Sequence, residues 1–250
     1  MIEPKVAIVT GGSRGIGAEA VRVLAKAGYA VCINYVSNDE AAQDLEAEIK
    51  ELGARCISVK ADASIEADVE RLFDTVDREL GTVTVLVNNA GILMKQSRLE
   101  DLSIERFTRV LNTNVLSCFL CSKQAVKRMS TKHGGVGGAI VNVSSGAAKS
   151  GSPNEYVDYA SSKGAMDTLT RGLAMEVAGE GIRVNGVRPA LIYTDMHASG
   201  GEAARVDRLS SIIPLQRGGQ PQEVAEAILW LASDKSSFVT GSFIDTTGGL

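Results

Sequence analysis

The chain has 250 residues, of which 44% are hydrophobic and 22% charged, and its formal net charge is −4. These values are typical of a globular protein with a sizeable core, and they provide no long basic stripe for binding a nucleic acid backbone. No apolar run approaches the roughly 18 residues that a membrane span requires.

Short apolar runs alternate with longer segments of helical periodicity, which predicts a doubly wound α/β fold. In such a Rossmann fold, helices cover both faces of a parallel sheet. Seven strands are predicted, at residues 5–10, 30–35, 55–60, 83–88, 139–143, 183–187 and 242–245. Six helices are predicted, at residues 15–27, 38–52, 65–80, 104–129, 155–178 and 222–232.

No segment resembles a linker, so residues 1–250 are predicted to form a single domain. The alternation of strands and helices breaks after the sixth strand, in a polar stretch with glycine pairs at 200 and 218. Long segments at the carboxyl edge of a parallel sheet commonly bind ligands. Residues 190–220 are therefore predicted to be a substrate-binding loop or lid, with a surface excursion as the alternative.

The first residues enter a strand pattern directly and lack the features of a secretory signal, so a cytoplasmic location is expected. Among the four cysteines, Cys118 and Cys121 form a C-x-x-C inside a predicted helix with apolar neighbours. A packing role is favoured there over a redox role. His133 and His197 are isolated from the cysteines, so no metal site is predicted.

The first predicted strand ends in the run TGGSRGIG at residues 10–17, which leads straight into a helix. Glycines let the backbone turn tightly and approach a pyrophosphate, which then lies against the helix N-terminus. A simple strand-to-helix turn is the alternative. Because the run follows the first strand of a βαβ unit, a dinucleotide site is favoured.

The end of the second strand bears on the choice of cofactor. An NAD site usually has an acidic residue there for the ribose 2′-hydroxyl, but the run here is NYVSN at residues 34–38, and Asp39 and Glu40 begin the next helix. Arg14, in the glycine turn, could instead pair with a 2′-phosphate. NADP(H) is therefore predicted, with NAD(H) possible and Arg14 as a solvated charge as the alternative.

Tyr159 and Lys163 are four residues apart, so they share one face of the predicted helix. A neighbouring ammonium favours the phenolate, so Lys163 is expected to lower the pKa of Tyr159 from its usual value near 10. Such a tyrosine can act as a general acid or base. An ordinary exposed pair on a helix is the alternative.

Together these motifs resemble the short-chain dehydrogenase/reductase family over nearly the whole chain. The run at residues 10–17 resembles the family's cofactor turn, residues 88–91 (NNAG) its fourth-strand motif, and Tyr159 with Lys163 its catalytic pair. The resemblance implies a catalytic set of Asn114, Ser145, Tyr159 and Lys163, with Ser144 as an alternative serine. The cofactor contacts implied are Gly11, Ser13, Arg14, Gly15, Ile16, Gly17, Asn34, Tyr35, Ser37, Asp62, Ala63, Asn89, Ala90, Gly91, Tyr159, Lys163, Pro189, Ile192 and Thr194.

In the chemistry that the resemblance implies, Ser145 holds the substrate oxygen and Tyr159 gives or takes its proton during hydride transfer. Lys163 also binds the nicotinamide ribose, and Asn114 steadies Lys163 or a relay water. The prediction is an NADP(H)-dependent oxidoreductase that interconverts a carbonyl and a secondary alcohol. The alternatives are a non-catalytic NADP-binding redox sensor and an NAD-dependent sugar or polyol dehydrogenase.

The resemblance also implies a homotetramer and a small carbonyl or alcohol substrate, and similar members include 3-oxoacyl-carrier-protein reductase and glucose/ribitol dehydrogenase. A carrier-protein partner would need a basic docking patch, although a solvated face is the commoner origin of such charges. The patch candidates are Arg98, Arg106, Arg109, Lys127, Arg128 and Lys132. The substrate-pocket candidates are Leu93, Met94, Ser150, Tyr156, Ala190 and Met196.

Overall fold

A computed structural model describes residues 5–250, and its seven strands form one parallel sheet. The strands are Val6–Val9 (β1), Ala30–Tyr35 (β2), Cys56–Lys60 (β3), Val83–Asn88 (β4), Gly138–Val143 (β5), Ile182–Pro189 (β6) and Phe243–Thr246 (β7). Their order across the sheet is β3-β2-β1-β4-β5-β6-β7, and each neighbouring pair is parallel. The predicted Rossmann fold is confirmed.

The apolar runs form central strands because helices cover both of their faces. All residues of β1 and β2 are buried. The sixth strand is longer than predicted, because Arg188 and Pro189 pair with Asp245 and Thr246 of β7.

Helices form a layer on each side of the sheet. They are Gly15–Lys26 (α1), Asp39–Glu51 (α2), Glu66–Glu79 (α3), Ile104–Leu111 (α4), Ser117–Met129 (α5), Ala147–Ser150 (α6), Val157–Val177 (α7), Met196–Ser199 (α8), Arg205–Leu209 (α9) and Pro221–Ala232 (α10). α1, α2 and α10 pack on one face, whereas α3, α5 and α7 pack on the other. Within residues 5–250, no helix is both long and apolar enough to cross a membrane.

The single helix predicted over residues 104–129 is interrupted. Asn112–Leu116 form a π-helical turn that joins α4 to α5. A π-turn accommodates an extra residue, and such turns are frequent at functional sites. Asn114 lies in this turn and is completely buried.

Residues 190–220 contain α8 and α9 and return close to their starting point. A parallel bridge joins Ile192 to Gly219, near the two ends of the segment. The backbone N–H of Leu215 also donates a hydrogen bond of 3.1 Å to the carbonyl of Gly248, beyond β7. The segment is therefore a closed loop beside the carboxyl ends of β5 and β6.

Candidate active site

The glycine turn lies where β1 meets α1, at the centre of the sheet. Gly11 and Gly15 have φ angles of +60° and +54°, a conformation that favours glycine. A Cβ at Gly17 would lie 2.6 Å from Nδ2 of Asn89, closer than side chains tolerate. The first residue of α1 follows Arg14, which caps the helix with no side-chain hydrogen bond. The helix N-terminus can therefore receive an anion, and the turn fits a dinucleotide pyrophosphate.

The motif after β4 braces the turn from the side. Nδ2 of Asn89 donates hydrogen bonds to the carbonyls of Thr10 at 3.0 Å and Gly11 at 2.9 Å. The hydroxyl oxygen of Thr10 accepts from the backbone N–H groups of Asn89 and Ala90, both at 3.0 Å. Asn89 and Ala90 thus determine the shape of the turn, and Gly91 follows them into the site.

Arg14 and Asn34 occupy different environments. Arg14 is exposed and forms no ion pair with any residue between 5 and 250. The side chain of Asn34 is buried and donates to the carbonyl of Ala61 at 2.9 Å. The side chain of Asn34 thus ties β2 to the end of β3, and its contact with the cofactor stays a prediction.

The first acidic residue after β2 already has two partners. Asp39 accepts a hydrogen bond of 2.9 Å from the hydroxyl of Tyr35 and pairs with Nζ of Lys60 at 2.9 Å. These contacts, Lys60 first and then Tyr35, lower the pKa of the Asp39 carboxyl. Ser37 is exposed nearby, whereas Asp62, after β3, accepts hydrogen bonds from Ser64.

Tyr159 and Lys163 lie on one face of α7, as predicted, and meet the loop after β4. Nζ of Lys163 is 5.6 Å from the centre of the Tyr159 ring. A Cβ at Gly91 would lie 3.3 Å from Oδ1 of Asn114 and 3.6 Å from Nζ of Lys163. The fold thus brings the Tyr159 and Lys163 pair together with Asn114 and Gly91.

The expected effect of Lys163 on the Tyr159 pKa is wrong for the protein alone. Burial raises the pKa of Tyr159 to about 12, and a hydrogen bond with Ser145 only partly opposes this rise. Nζ of Lys163 instead donates to the carbonyl of Val143 at 2.7 Å. Burial also lowers the pKa of Lys163 to about 8, because a low-dielectric environment disfavours both charged forms.

The two serines after β5 have different partners. The hydroxyl of Ser144 is buried and donates to Oδ1 of Asp167 at 2.6 Å and to the carbonyl of Lys163 at 3.3 Å. The side chain of Ser145 opposes the rise in the Tyr159 pKa, and its hydroxyl lies 3.5 Å from the carbonyl of Pro189. Successive residues of an extended chain point in opposite directions, so only Ser145 faces Tyr159.

Asn114 joins the loop after β4 to α7. Its Oδ1 accepts from the backbone N–H of Ile92 at 2.8 Å, and its Nδ2 donates to the carbonyl of Ile92 at 3.2 Å. The same Nδ2 donates to the hydroxyl of Ser162 at 2.9 Å. Asn114 therefore holds the residue that precedes Lys163 and makes no direct hydrogen bond to Lys163 itself.

The segment 190–220 covers the site from the other side. A Cβ at Gly15 would lie 3.4 Å from Cγ2 of Thr194, so this predicted cofactor contact adjoins the glycine turn. The hydroxyl of Tyr156 donates to the carbonyl of Gly200 at 3.3 Å. A Cβ at Gly200 would lie 2.8 Å from Cδ2 of Leu93, so the segment packs closely on both predicted pocket residues.

Ion pairs attach this segment to the start of α7. Arg205 pairs with Glu155 and, at 3.1 Å, with Glu202, and its guanidinium lies 5.1 Å from the centre of the Tyr156 ring. Glu202 also pairs with Arg208. Hydrogen bonds from Arg208 and then Arg205 lower the pKa of Glu202 to about 2.

Part of the basic docking patch considered from the sequence is paired with carboxylates of the protein. Arg106 is turned inward, where its Nε lies 2.7 Å from the buried carboxylate of Asp158. Arg128 pairs with Asp74 at 2.7 Å and Asp77 at 2.6 Å. Arg98 pairs with Glu100 at 2.7 Å as well, so three of the six candidate cations have carboxylate partners on the protein itself.

Cys118 and Cys121 are buried free thiols, as their packing role requires. Burial raises the pKa of Cys118 to about 12 and raises that of Cys121 as well. Thiols in this state are poor nucleophiles. The C-x-x-C spacing is therefore a feature of packing in α5.

Two carboxylates that the sequence analysis did not single out flank the Tyr159 and Lys163 pair. Asp158 accepts a hydrogen bond from the backbone N–H of Tyr159 at 2.9 Å, and Asp167 lies one helical turn after Lys163. Their partners are Arg106 and Arg188, which are distant in sequence. Arg188, at the end of a strand whose residues are nearly all buried, was the available signal for its own partner, since a buried charge needs one.

Comparisons of the sequence with known proteins point to one family. A family model described as enoyl-(acyl carrier protein) reductase matches residues 11–250. The chain is 58% identical over 244 residues to the uncharacterized oxidoreductase YgfF of Escherichia coli strain K12, covering 98% of this chain and 99% of that protein. It is 35% identical to glucose 1-dehydrogenase 2 of Bacillus subtilis strain 168, covering 98% of this chain and 94% of that protein.

Solved structures give the same result. A short-chain type dehydrogenase/reductase from Mycobacterium marinum superposes with a TM-score of 0.92 at 33% identity, covering 99% of this chain and 96% of the other. A blue fluorescent protein from a metagenomic library, solved in complex with NADPH, has a TM-score of 0.89 at 34% identity, covering 99% and 98%. The chain therefore belongs to the short-chain dehydrogenase/reductase family of oxidoreductases.

Proposed function

We propose that this oxidoreductase uses NADP(H) to interconvert a carbonyl and a secondary alcohol, with Tyr159 as the general acid or base. The observation that carries the proposal is the meeting of Ser145, Tyr159, Lys163 and Asn114 beside the glycine turn. A non-catalytic cofactor-binding protein would have no need for all four side chains.

The protonation state of Tyr159 supports a direction for the reaction. With its pKa raised to about 12 by burial, the phenol retains its proton at neutral pH. It can therefore donate that proton to a carbonyl oxygen held by Ser145. The nicotinamide, when bound, supplies or accepts the hydride. In the absence of ligand, Tyr159 is therefore in the protonation state that the reduction of a carbonyl requires.

The preference for NADP(H) is supported by charge at the adenosine end of the site. Arg14 projects from the glycine turn without an ion pair among residues 5–250, and a guanidinium is suited to a 2′-phosphate. The carboxylate of Asp39, which could otherwise bind a ribose hydroxyl, is occupied by Tyr35 and Lys60. The similar protein solved with NADPH supports the same choice.

A free small molecule is the proposed substrate. Neutralisation of Arg106 and Arg128 removes part of the surface that an acidic carrier protein would require. The name of the similar glucose 1-dehydrogenase adds sugars to the compounds worth testing. We also propose that residues 190–220 form the substrate-binding lid and that the protein is cytoplasmic. A homotetramer is proposed as well, and light scattering would test it by measuring the molar mass in solution.

The cofactor part is tested by titrating the purified protein with NADPH and NADH while following nicotinamide fluorescence. Tighter binding of NADPH, reduced to near parity with NADH by Arg14→Ala, is expected. Arg78→Ala removes another exposed arginine, which pairs with Glu79, and should leave the preference for NADPH over NADH unchanged. Tighter binding of NADH by the unaltered protein would refute the NADP(H) assignment.

The chemical part is tested with NADPH and a panel of the ketones diacetyl, dihydroxyacetone and cyclohexanone, and with NADP⁺ and glucose or ribitol. Tyr159→Phe should lower kcat by about 100-fold or more, because it removes the proton donor. Tyr29→Phe, at a buried tyrosine near Lys5 and Asp234, should retain turnover. Full turnover by Tyr159→Phe would refute the mechanism.

A further inference from the structure

Arg188 is a buried cation next to the four proposed catalytic side chains. Its Nη2 and Nε lie 2.8 and 2.9 Å from Oδ2 of Asp167, and the two side chains are only 10% and 8% exposed. The guanidinium lies 3.7 Å from the centre of the Phe243 ring. The ring occupies space left by Gly186, where a Cβ would be 2.5 Å from its Cδ1. This packing restricts Arg188 to one orientation.

Asp167 connects Arg188 to Ser144, which directly follows β5. Its Oδ1 accepts the hydrogen bond of 2.6 Å from Ser144, while its Oδ2 is held by Arg188. Ser144 lies between Val143, whose carbonyl binds Nζ of Lys163, and Ser145. The position of the Ser144 backbone therefore affects both the carbonyl that binds Lys163 and the placement of Ser145.

Arg188 is also linked, through Asp245, to the helix that follows Ser145. Its Nη1 lies 3.3 Å from Oδ1 of Asp245, and Oδ2 of Asp245 lies 3.0 Å from Nζ of Lys149. Lys149 belongs to α6, four residues after Ser145. Lys149 is largely exposed, so this outer link contributes less than the buried one.

The charge of Asp167 acts on Lys163 as well. The titratable groups that face Lys163 are Cys118 from α5 and Tyr159 and Asp167 from α7. Burial lowers the pKa of Lys163, and Cys118 and Asp167 oppose this effect. Because Cys118 is itself held protonated by burial, Asp167 is the anion that favours the ammonium form.

A buried ion pair is weak evidence of stabilisation, because replacing both partners with apolar groups of similar volume is often neutral or stabilising. The contacts to Ser144 and Lys163 indicate a different role. We propose that Asp167 and Arg188 are positioning residues that fix Ser144–Ser145 and Lys163 relative to Tyr159. This inference rests on the proposed function, and it adds to the site two residues that touch neither substrate nor cofactor.

The test compares Asp167→Asn, Ser144→Ala, their combination, and the double variant Asp167→Leu with Arg188→Met. Arg128→Met is a matched control, because Arg128 is also largely buried, pairs with aspartates and lies over an aromatic ring, Phe73, at 5.1 Å. Each protein is assayed for thermal unfolding, NADPH affinity, and kcat and KM with the carbonyl of the panel that is turned over fastest. NMR of the Lys163 ε-carbon, assigned with Lys163→Met, follows titration of the lysine without cofactor.

Asp167→Asn and Ser144→Ala should each lower kcat by about 10- to 100-fold, as expected when reacting groups are misplaced. Their combination should cost no more than the larger single effect, because Asp167 acts on the site partly through Ser144. In Asp167→Asn, Lys163 should titrate at a lower pH. The Leu and Met double variant should remain folded yet lose the same activity, whereas Arg128→Met should retain its kcat.

Unchanged kcat and unchanged Lys163 titration in folded Asp167→Asn would overturn the proposal, as would an equal loss of kcat in Arg128→Met. If Asp167→Asn does not fold, Ser144→Ala decides the matter, because it leaves the ion pair intact. If the unaltered protein turns over no compound of the panel, the proposed function fails separately. The Lys163 titration then decides the effect of Asp167.

Discussion

The two walls of the candidate active site are built in different ways. The glycine turn is shaped by backbone contacts and by the amide of Asn89, with glycines where a side chain would collide. The opposite wall, residues 190–220, is attached to the start of α7 by the ion pair of Arg205 with Glu155, and pairs of Glu202 with Arg205 and Arg208 stabilise it internally.

This difference in construction suits two different tasks, the binding of the cofactor and the recognition of the substrate. A backbone wall leaves little freedom for sequence change, which suits a cofactor of fixed shape. A wall held by side chains can be altered one contact at a time without disturbing the sheet, which suits recognition of a variable substrate. Substitutions in the two walls should therefore affect different measured quantities.

The largest effect is expected at Lys163, which lies between the walls. Its pKa falls from an ordinary 10.5 to about 8 on folding, so between these pH values the unfolded chain binds a proton that the folded protein lacks. The contribution of Lys163 to stability therefore rises with pH over this interval, by on the order of 3 kcal/mol, whereas the buried thiols, whose pKa values are raised, contribute with the opposite sign. Lys163→Met should lack this contribution, so urea unfolding at the two ends of this pH interval should show a smaller pH-dependent gain in the variant than in the unaltered protein. Parallel pH profiles of the two proteins would contradict it.

Gly17→Ala should disrupt the backbone wall. The new methyl group would collide with the turn and with Asn89, costing about 1–3 kcal/mol of unfolding free energy. NADPH affinity should fall by about ten-fold or more. Thermal unfolding and fluorescence titration measure the two effects.

Gly172→Ala is the matched control for Gly17→Ala. Gly172 lies in the interior of α7, and a Cβ there would meet nothing within 4 Å. Alanine should therefore stabilise the helix by about 0.5–1 kcal/mol and leave NADPH affinity unchanged. Equal losses in both variants would show that the turn has no special requirement for glycine.

Arg205→Gln should weaken the side-chain wall alone. The variant loses the ion pairs with Glu155 and Glu202 and the contact with the Tyr156 ring. The KM for the carbonyl substrate should rise about ten-fold, equivalent to about 1.4 kcal/mol, while NADPH affinity is maintained. Steady-state kinetics at saturating NADPH measure the change, and an equal fall in NADPH affinity would contradict the separation of the walls.

Arg217→Gln should have the smallest effect and serves as the control for Arg205→Gln. Arg217 pairs with Glu223 at the far end of the same segment, and both side chains are substantially exposed. Exposed ion pairs contribute about 0–1 kcal/mol. KM and thermal unfolding should therefore remain close to those of the unaltered protein.

Local patterns were sufficient to predict most of the fold. The predicted bounds of β2 and β4 match the structure, because strands buried on both faces are continuous apolar runs. The interruption around Asn114 was missed, since the apolar periodicity continues through the π-turn. The short helices of residues 190–220 were also missed, because their attachment depends on partners such as Glu155 and Gly248 that are distant in sequence.

The candidate site divides in the same way. Sequence spacing alone was enough to group Tyr159 with Lys163 on one helical face and to identify the glycine turn, because both depend on neighbours along the chain. It could not determine which serine faces Tyr159, where the ammonium of Lys163 points, or that Arg188 pairs with Asp167. Those outcomes depend on which side chains β5, β6 and α7 bring together, and on burial, which reverses the expected shift in the Tyr159 pKa.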